Sequence, residues 1–309
     1  MSNIYLQDNS IKIKLNLMES IEILKILDEY EVLKKPYQEF VDDFIQSKKL
    51  LPAYLYENNL IDEKKLNKLN QLTLKLNQSK VYQFKNFTIY PKTYPKFFTS
   101  GDVFGVFPLK DSRIVIILFD VSGKGLEAGI LGFMISYYIN YKLNMSSLAP
   151  QALLKKINLI CLEIFDDIKF TTFSLMILDL LSGTIEYAGA GCPPLLHLRL
   201  EDKEKIIEER DTINIPLGIE NDFIYKGTKI DFNPGEIILL YTDGAFEQEN
   251  RKGVQYGINR LKKAFLKHAN KSPKNIVRSL YFDLKLFSLF KPPADDTTYI
   301  VIKYDKKKR

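Results

Sequence analysis

The sequence predicts an α/β protein of the α+β type, with antiparallel β-sheets covered by helices behind a small all-helical N-terminal module. Three observations carry that reading. Residues 1–80 contain no glycine and keep helical spacing. From Val81 the chain changes to short β-type runs broken by Gly, Pro, Asp and Asn. Those runs follow one another and stand apart from paired helices, which argues against alternating βαβ units.

In the N-terminal part, Leu17, Met18, Ile21, Leu24 and Leu27 recur at spacings of three and four between Leu15 and Leu33, and Pro36 stops the run. The stretches 37–49 and 62–77 keep the same period. In the latter, Leu66, Leu69, Leu72 and Leu76 form a narrow stripe suited to helix pairing, within the chain or between two copies as a homodimer. Residues 1–80 are therefore expected to be a regulatory or dimerisation module that receives an upstream regulator. A second domain is expected over 81–305, and 306–309 form a basic tail.

Within the second domain the strand candidates are 86–90, 103–108, 114–119, 172–180, 184–189, 194–199, 224–231, 236–241 and 298–304. A Ser-Gly pair inside "LDLLSGTIEY" marks a hairpin. Helices are expected over 126–142, 150–166, 257–268 and 274–288. The first is apolar nearly all round and should be buried, whereas the second puts Leu153, Leu154, Ile157, Ile160, Cys161, Ile164 and Phe165 on one face.

Composition excludes several function classes. The net charge is +6, of which the last seven residues supply +4 and residues 1–80 supply none, so nucleic-acid binding has little support. No apolar run approaches the roughly 18–20 residues that span a bilayer. The opening "MSNIYLQDNSIKIK" lacks the pattern of a signal peptide. Two cysteines make no disulfide framework, and a reducing cytoplasm is the expected compartment.

The chemistry-bearing pattern is a set of acids beside apolar runs. Asp102 stands in "TSGDVFGVF", Asp120 in "IILFDVSGKG", Asp243 in "IILLYTDGAFE", and Asp295 with Asp296 in "PADDTTYIVIKY". Any one alone reads as a helix cap or an Asx turn. Together they lie beside strands expected to be central, with glycine or small residues next to them for close approach to a compact ligand. Carboxylates gathered without basic partners repel one another unless a cation joins them. All-oxygen ligation in a chain with two histidines points to Mn²⁺ or Mg²⁺ rather than zinc. The loop "GKGLEAG" fits neither the P-loop nor the Rossmann spacing, so a glycine-loop nucleotide hydrolase is disfavoured.

The ordered motifs "SGD" (100–102), "FDVSGKGLEAG" (119–129), "GTIEYAGAGCPPLL" (183–196), "PLGI" (216–219), "NPGEIILLYTDGAFEQEN" (233–250) and "ADDTTYIVIKY" (294–304) carry a family resemblance. Residues 81–305 resemble the bacterial PPM/PP2C-type serine/threonine phosphatases, in the branch of stage II sporulation and stress-response phosphatases that regulate sigma factors. The resemblance implies two antiparallel sheets sandwiched between helices, with two metals at one end between the sheets. It implies that Asp120 bridges the metals and that the Val121 carbonyl is a further ligand. Asp102 holds water on the first metal or ligates it directly, and Asp243 and Asp295 serve the second. Asp296 aligns with a neighbouring polar position and ranks below Asp295. Gly101, Gly123, Gly125 and Gly244 provide clearance.

Two cations about 3.5–4 Å apart activate a water at neutral pH, so hydrolysis of phosphoserine or phosphothreonine needs no protein nucleophile. His197, inside "PPLLHLRL", and His268, inside "KKAFLKHANK", are accordingly expected to be structural or surface residues. By resemblance, the partner is a phosphorylated protein in signal transduction or stress response, of the anti-anti-sigma type. Three positions depart from the family. Lys124 and Cys192 stand where it has His, and Gly189 stands where it has Asn. Lys124 is expected to position substrate as a point charge. The alternative reading is a pseudophosphatase, a phosphoprotein-binding module without turnover, but all four metal-ligand positions retain Asp.

Overall fold

The computed structural model describes residues 24–25, 33–40, 42–43, 55, 58–61, 78–96, 100–123, 126–141, 149–164, 169–200, 204–209 and 213–306. Most of the expected N-terminal helical module, the Leu66–Leu76 stripe, Lys124, Gly125, Phe165 and tail residues 307–309 lie outside them. In its described part, the N-terminal stretch contains a 3₁₀ turn at Tyr37–Glu39 and a bridge between Leu33 and Ile61.

Among the described residues, twelve strands form two sheets. The first orders β1 (Tyr82–Phe84), β2 (Phe87–Tyr94), β12 (Thr297–Tyr304), β11 (Ile237–Tyr241), β7 (Leu195–Leu200) and β8 (Glu204–Glu209). The second orders β10 (Thr228–Asp231), β6 (Thr184–Ala190), β5 (Thr171–Asp179), β4 (Arg113–Val121) and β3 (Asp102–Pro108). All these pairs are antiparallel; the two-residue β9 (Ile213–Asn214) pairs parallel with β6. The expected hairpin joins β5 to β6, and its turn is fixed by the Leu181 and Ser182 amides donating to Oδ1 of Asp179 at 2.7 and 2.9 Å. Strands β1, β8 and β9 were not anticipated. They are short or charged, "EKIIEE" in β8, and lack the apolar alternation that identifies a strand from sequence. The run expected at 224–231 is a strand only over β10.

Among the described residues, five helices cover the sheets: α1 (Leu126–Tyr141) and α2 (Pro150–Ile164) on one side, and α3 (Gly244–Glu247), α4 (Ile258–His268) and α5 (Pro273–Phe287) on the other. The layering follows from period-two alternation. In β4, Ile114, Ile116 and Leu118 point between the sheets, where they meet Ile238, Leu240, Ile300 and Ile302. Val115, Ile117, Phe119 and Val121 point the other way, into the layer containing Ile130, Phe133, Leu153 and Ile157. Tyr241, Tyr299 and Val301 face Leu261, Phe265, Ile276 and Leu280 of α4 and α5. Among the described side chains of α1, Ala128, Ile130, Leu131, Phe133, Met134, Ile135 and Ile139 are buried, as expected. Leu24, Leu33, Phe40, Leu55, Leu60 and Ile61 share the core of α1 and α2. β3 is the edge of its sheet, so the strand that carries Asp102 is not itself central, contrary to expectation.

Candidate metal centre and active site

Asp102 opens β3 and sits directly opposite Asp120, the penultimate residue of β4. The acids of the other sheet come from the end of β11 and the approach to β12. The two groups meet through Asp102, which is 1 % exposed. Its Oδ2 accepts hydrogen bonds from the hydroxyls of Thr242 and Thr298 at 2.8 and 2.6 Å, so a carboxylate of one sheet is tied to two threonines of the other. Thr171 donates to the Asp120 carbonyl at 2.7 Å and the Val121 amide donates to the Gly101 carbonyl at 3.3 Å, fixing the backbone around Asp120.

Asp243 occupies the N-cap position of α3, but its side chain makes no capping bond. The cap reading therefore does not account for it. Asp295 lies exposed in the turn before β12, and its Oδ1 accepts from the Asp296 amide at 2.9 Å. Asp296 is engaged differently from the other acids. Its Oδ1 accepts from the Lys96 amide at 2.7 Å, and its Oδ2 accepts from the Ser100 hydroxyl and the Gly101 amide, both at 2.9 Å. It anchors the segment that leads into Asp102.

The electrostatics of the cluster are one-sided. Burial pushes the Asp120 carboxyl up to about 8, and the charges that act on it, Asp243, Asp295 and Asp296, all push in the same direction. Asp243 is raised to about 6 by burial, then by Glu247 and Asp295. Burial also pushes Asp102 well above the usual carboxylate range; Asp120 adds to this, while the Thr298 and Thr242 hydroxyls oppose it. Among the described residues, no three His, Cys, Asp or Glu side chains close into a preformed ligand set. Asp102 is turned to its threonines, Asp296 to the 96–101 segment, and Asp295 to its neighbouring amide.

A cleft of about 430 Å³ opens onto this end of the sandwich. Asp120, Asp243 and Glu247 line it with Thr172, and Cys192, Pro193, Pro194, Phe246 and Ile258 form apolar walls. Backbone clearance is built in. A Cβ on Gly101 would lie 3.0 Å from Oδ1 of Asp120 and 3.2 Å from the Val121 carbonyl oxygen. A Cβ on Gly244 would lie 1.9 Å from the Asp296 carbonyl oxygen, so only glycine lets α3 meet the start of β12. Gly123 has φ of 113°, a conformation other residues avoid. The donor set fits a hard divalent cation, since it is all oxygen, acidic without compensation, and flanked by glycines that leave room.

Sequence reasoning missed Thr242, Thr298 and Glu247. The threonines lie inside the quoted motifs, but their role depends on the two sheets meeting, which spacing does not reveal. Glu247 had a readable signal, since it follows Asp243 by four residues and so shares its side of a helical turn. His197 is fully buried, with Nε2 3.0 Å from Glu236 Oε2, and His268 lies 2.9 Å from Asp283. Neither lines the cleft, in keeping with structural roles.

Two antiparallel sheets between helical layers, with aspartates from both sheets gathered at one end, define a PP2C-type fold. The SiaA-PP2C domain of Pseudomonas aeruginosa superimposes with a TM-score of 0.63 at 20% identity, over 70% of this chain and 86% of that one. The chain belongs to the stage II sporulation protein E (SpoIIE) family, whose sequence profile matches residues 110–305. It is 28% identical over 204 residues to the phosphoserine phosphatase RsbU of Bacillus subtilis (strain 168), covering 66% of this chain and 59% of RsbU. The chain thus spans about three fifths of that relative's length. A structure of RsbX in complex with magnesium matches with a TM-score of 0.53 at 16% identity, over 72% of this chain and 98% of that one.

Proposed function

We propose that this chain is a metal-dependent phosphoprotein phosphatase that hydrolyses phosphoserine or phosphothreonine on a partner protein. The observation that carries the reading is the acidic cluster itself: burial, and then the neighbouring charges of Asp243, Asp295 and Asp296, raise the Asp120 pKa to about 8, beside a cleft of about 430 Å³. Such a cluster is stable in ionised form only with cations present. Asp120, the Val121 carbonyl, Asp243 and Asp295 would hold two Mn²⁺ or Mg²⁺ ions, with Asp102 at the first. The chemistry such ions supply is a lowered water pKa and neutralised phosphoryl charge.

The chain's own residues do the rest. Thr242 and Thr298 lock one oxygen of Asp102 and leave the other to orient water or cation. The walls formed by Pro193, Pro194, Phe246 and Ile258 exclude bulk solvent from one side of the cleft. Membership of the SpoIIE family and the phosphoserine phosphatase RsbU as a relative support this class of substrate. A phosphorylated anti-anti-sigma-type regulator is the partner we favour, in the cytoplasm, with residues 1–80 transmitting an upstream signal to the domain at 81–305. Lys124 would position substrate.

Purified full-length protein is expected to release phosphate from a phosphoserine peptide with Mn²⁺, and to stop with chelator or on Asp120→Asn. Activity that survives both changes would sink the two-metal reading. Phosphopeptide binding without turnover at any Mn²⁺ concentration would identify the pseudophosphatase instead. Removal of residues 1–80 is expected to change the oligomeric state or the rate while leaving cation binding intact. A truncated chain identical to full length in both would refute the regulatory role.

A further inference from the structure

The near-balanced total charge conceals a strong local asymmetry. Residues 251–291 contain eleven Lys or Arg against the single acid Asp283, a net of +10, whereas the whole chain is +6 and the remainder therefore −4. The segment is the α4–α5 layer, and its basic side chains stand outward because the opposite faces are committed to the core through Leu261, Phe265, Ile276 and Leu280. Lys263 and Lys267 are exposed on α4, and Lys274 and Arg278 on α5. None of these four has an ion pair with a described residue. Asp283 is engaged by His268.

Bulky apolar side chains accompany this charge. Arg278, Phe282 and Leu286 follow one another at four-residue spacing along the outward face of α5, and Leu289 and Phe290 continue beyond its end. Phe282 is 54 % exposed and Phe290 60 %. Leu289 and Phe290 both have positive φ, 51° and 57°, a backbone region that large side chains seldom occupy. The chain thus holds two apolar side chains in water in an unfavourable conformation, beside a dense positive field.

We propose that the outer face of α4 and α5 is a peripheral docking surface for an anionic lipid bilayer. Charge complementarity calls for a negative partner, and the composition selects among them. Eight of the eleven basic residues are Lys. Protein interfaces are depleted in Lys and enriched in Arg, whereas each Lys near an anionic leaflet adds to the attraction. Phe and Leu side chains among lysines match what an interfacial element inserts at headgroup level. Among the described residues no helix is long and apolar enough to cross a membrane, so the contact is one of surface docking. The inference is independent of the phosphatase reading.

The test is flotation of the full chain with vesicles of phosphatidylcholine alone or with about 30 mol % phosphatidylglycerol. Binding is expected to the anionic vesicles only, and to vanish near 1 M salt, where screening acts within about 3 Å. Lys263→Glu, Lys267→Glu, Lys274→Glu and Arg278→Glu together are expected to weaken it by ~100-fold or more. Phe282→Ser with Phe290→Ser is expected to weaken it by roughly tenfold and leave the salt dependence unchanged. All six positions are exposed, and circular dichroism and thermal unfolding check that the variants fold. Failure of the wild type to float with anionic vesicles overturns the proposal. So does equal binding by the charge-reversed variant, or loss of binding on deletion of the 306–309 tail alone. A chain that ignores vesicles but loses affinity for an acidic protein on charge reversal identifies that partner instead, and also overturns it.

Discussion

Replacing Asp120 by Asn is expected to make the chelated protein more stable while abolishing its stabilisation by cations. The carboxyl is raised from 3.8 to about 8 in the folded protein. Below pH 3.8 it is protonated in both states and has no effect. Between the two values the unfolded chain ionises while the folded chain retains the proton, so the folded state binds more protons and stability falls as pH rises; above pH 8 the loss is complete. At pH 7.5 the span is about 3.7 pH units, and at about 1.36 kcal/mol each the ceiling is ~5 kcal/mol. Asp120 borders an open cleft, where water screens it, and half the ceiling is the better expectation. A gain of ~2–3 kcal/mol raises Tm by roughly 4 °C in a chain of this size.

Thermal unfolding in chelator at pH 7.5 and 4.5 reads this directly. The gain is expected at pH 7.5 and shrinks below about 1 kcal/mol at pH 4.5. With Mn²⁺ at a hundredfold excess over Kd the wild type gains about 2.7 kcal/mol and Asp120→Asn gains little. A variant no more stable than wild type at pH 7.5 in chelator would show that neither burial nor the neighbouring acids disfavour the charged Asp120, and the electrostatic case for cations would fall. An equal gain at both pH values would trace the effect to packing.

Other positions give independent checks. Gly244→Ala is expected to lower stability by about 3 kcal/mol in urea titrations, since the new methyl would sit 1.9 Å from the Asp296 carbonyl oxygen. Asp296→Ala removes the acceptor of three hydrogen bonds, with roughly 3 kcal/mol lost and protease cleavage increased near residues 96–101. Burial is the main cause lowering the His197 pKa below 6.5, with Arg199 acting the same way and Glu236 and Glu209 opposing. Its stabilising contribution is therefore complete above pH 6.5 and declines as pH falls. The stability difference between wild type and His197→Gln should shrink from pH 7.5 to pH 5, and a constant difference would contradict the buried neutral imidazole. Gly189→Asn is expected to cost at least ~2 kcal/mol by thermal unfolding, because its side chain would enter occupied space.

The sandwich was legible because its central strands alternate or run apolar without a break. "RIVIILFDV" and "TTYIVIKY" are short, rich in β-branched residues and apolar, the marks of buried strands, and α4 and α5 show clean helical stripes. Edge elements were not. β8 is charged because one side meets water, and β3 was mistaken for a central strand because the edge of a sheet covered by α1 remains apolar. The acids were identified one by one from their neighbours. What joins them, the two hydroxyls holding Asp102, depends on residues 140 and 196 positions away along the chain. No local pattern encodes a contact of that range.

The same distinction applies to the departures from the family pattern. Read along the chain, Gly189 and Cys192 look like two separate losses, an Asn and a His gone from the neighbourhood of the site. In three dimensions the two positions are neighbours. A Cβ on residue 189 would lie 2.7 Å from Cys192 Sγ and 2.8 Å from the Tyr187 hydroxyl. That hydroxyl is itself bridged, 3.4 Å from Cys192 and 3.3 Å from Ser174. The space an Asn would use is thus filled by a tyrosine and a thiol that satisfy each other, and the glycine is what allows them to do so. The family residue cannot be restored singly, since the neighbours would clash with it. Tyr187→Phe combined with Gly189→Asn should therefore be less harmful than the sum of the two single changes, because removal of the hydroxyl vacates part of the contested volume.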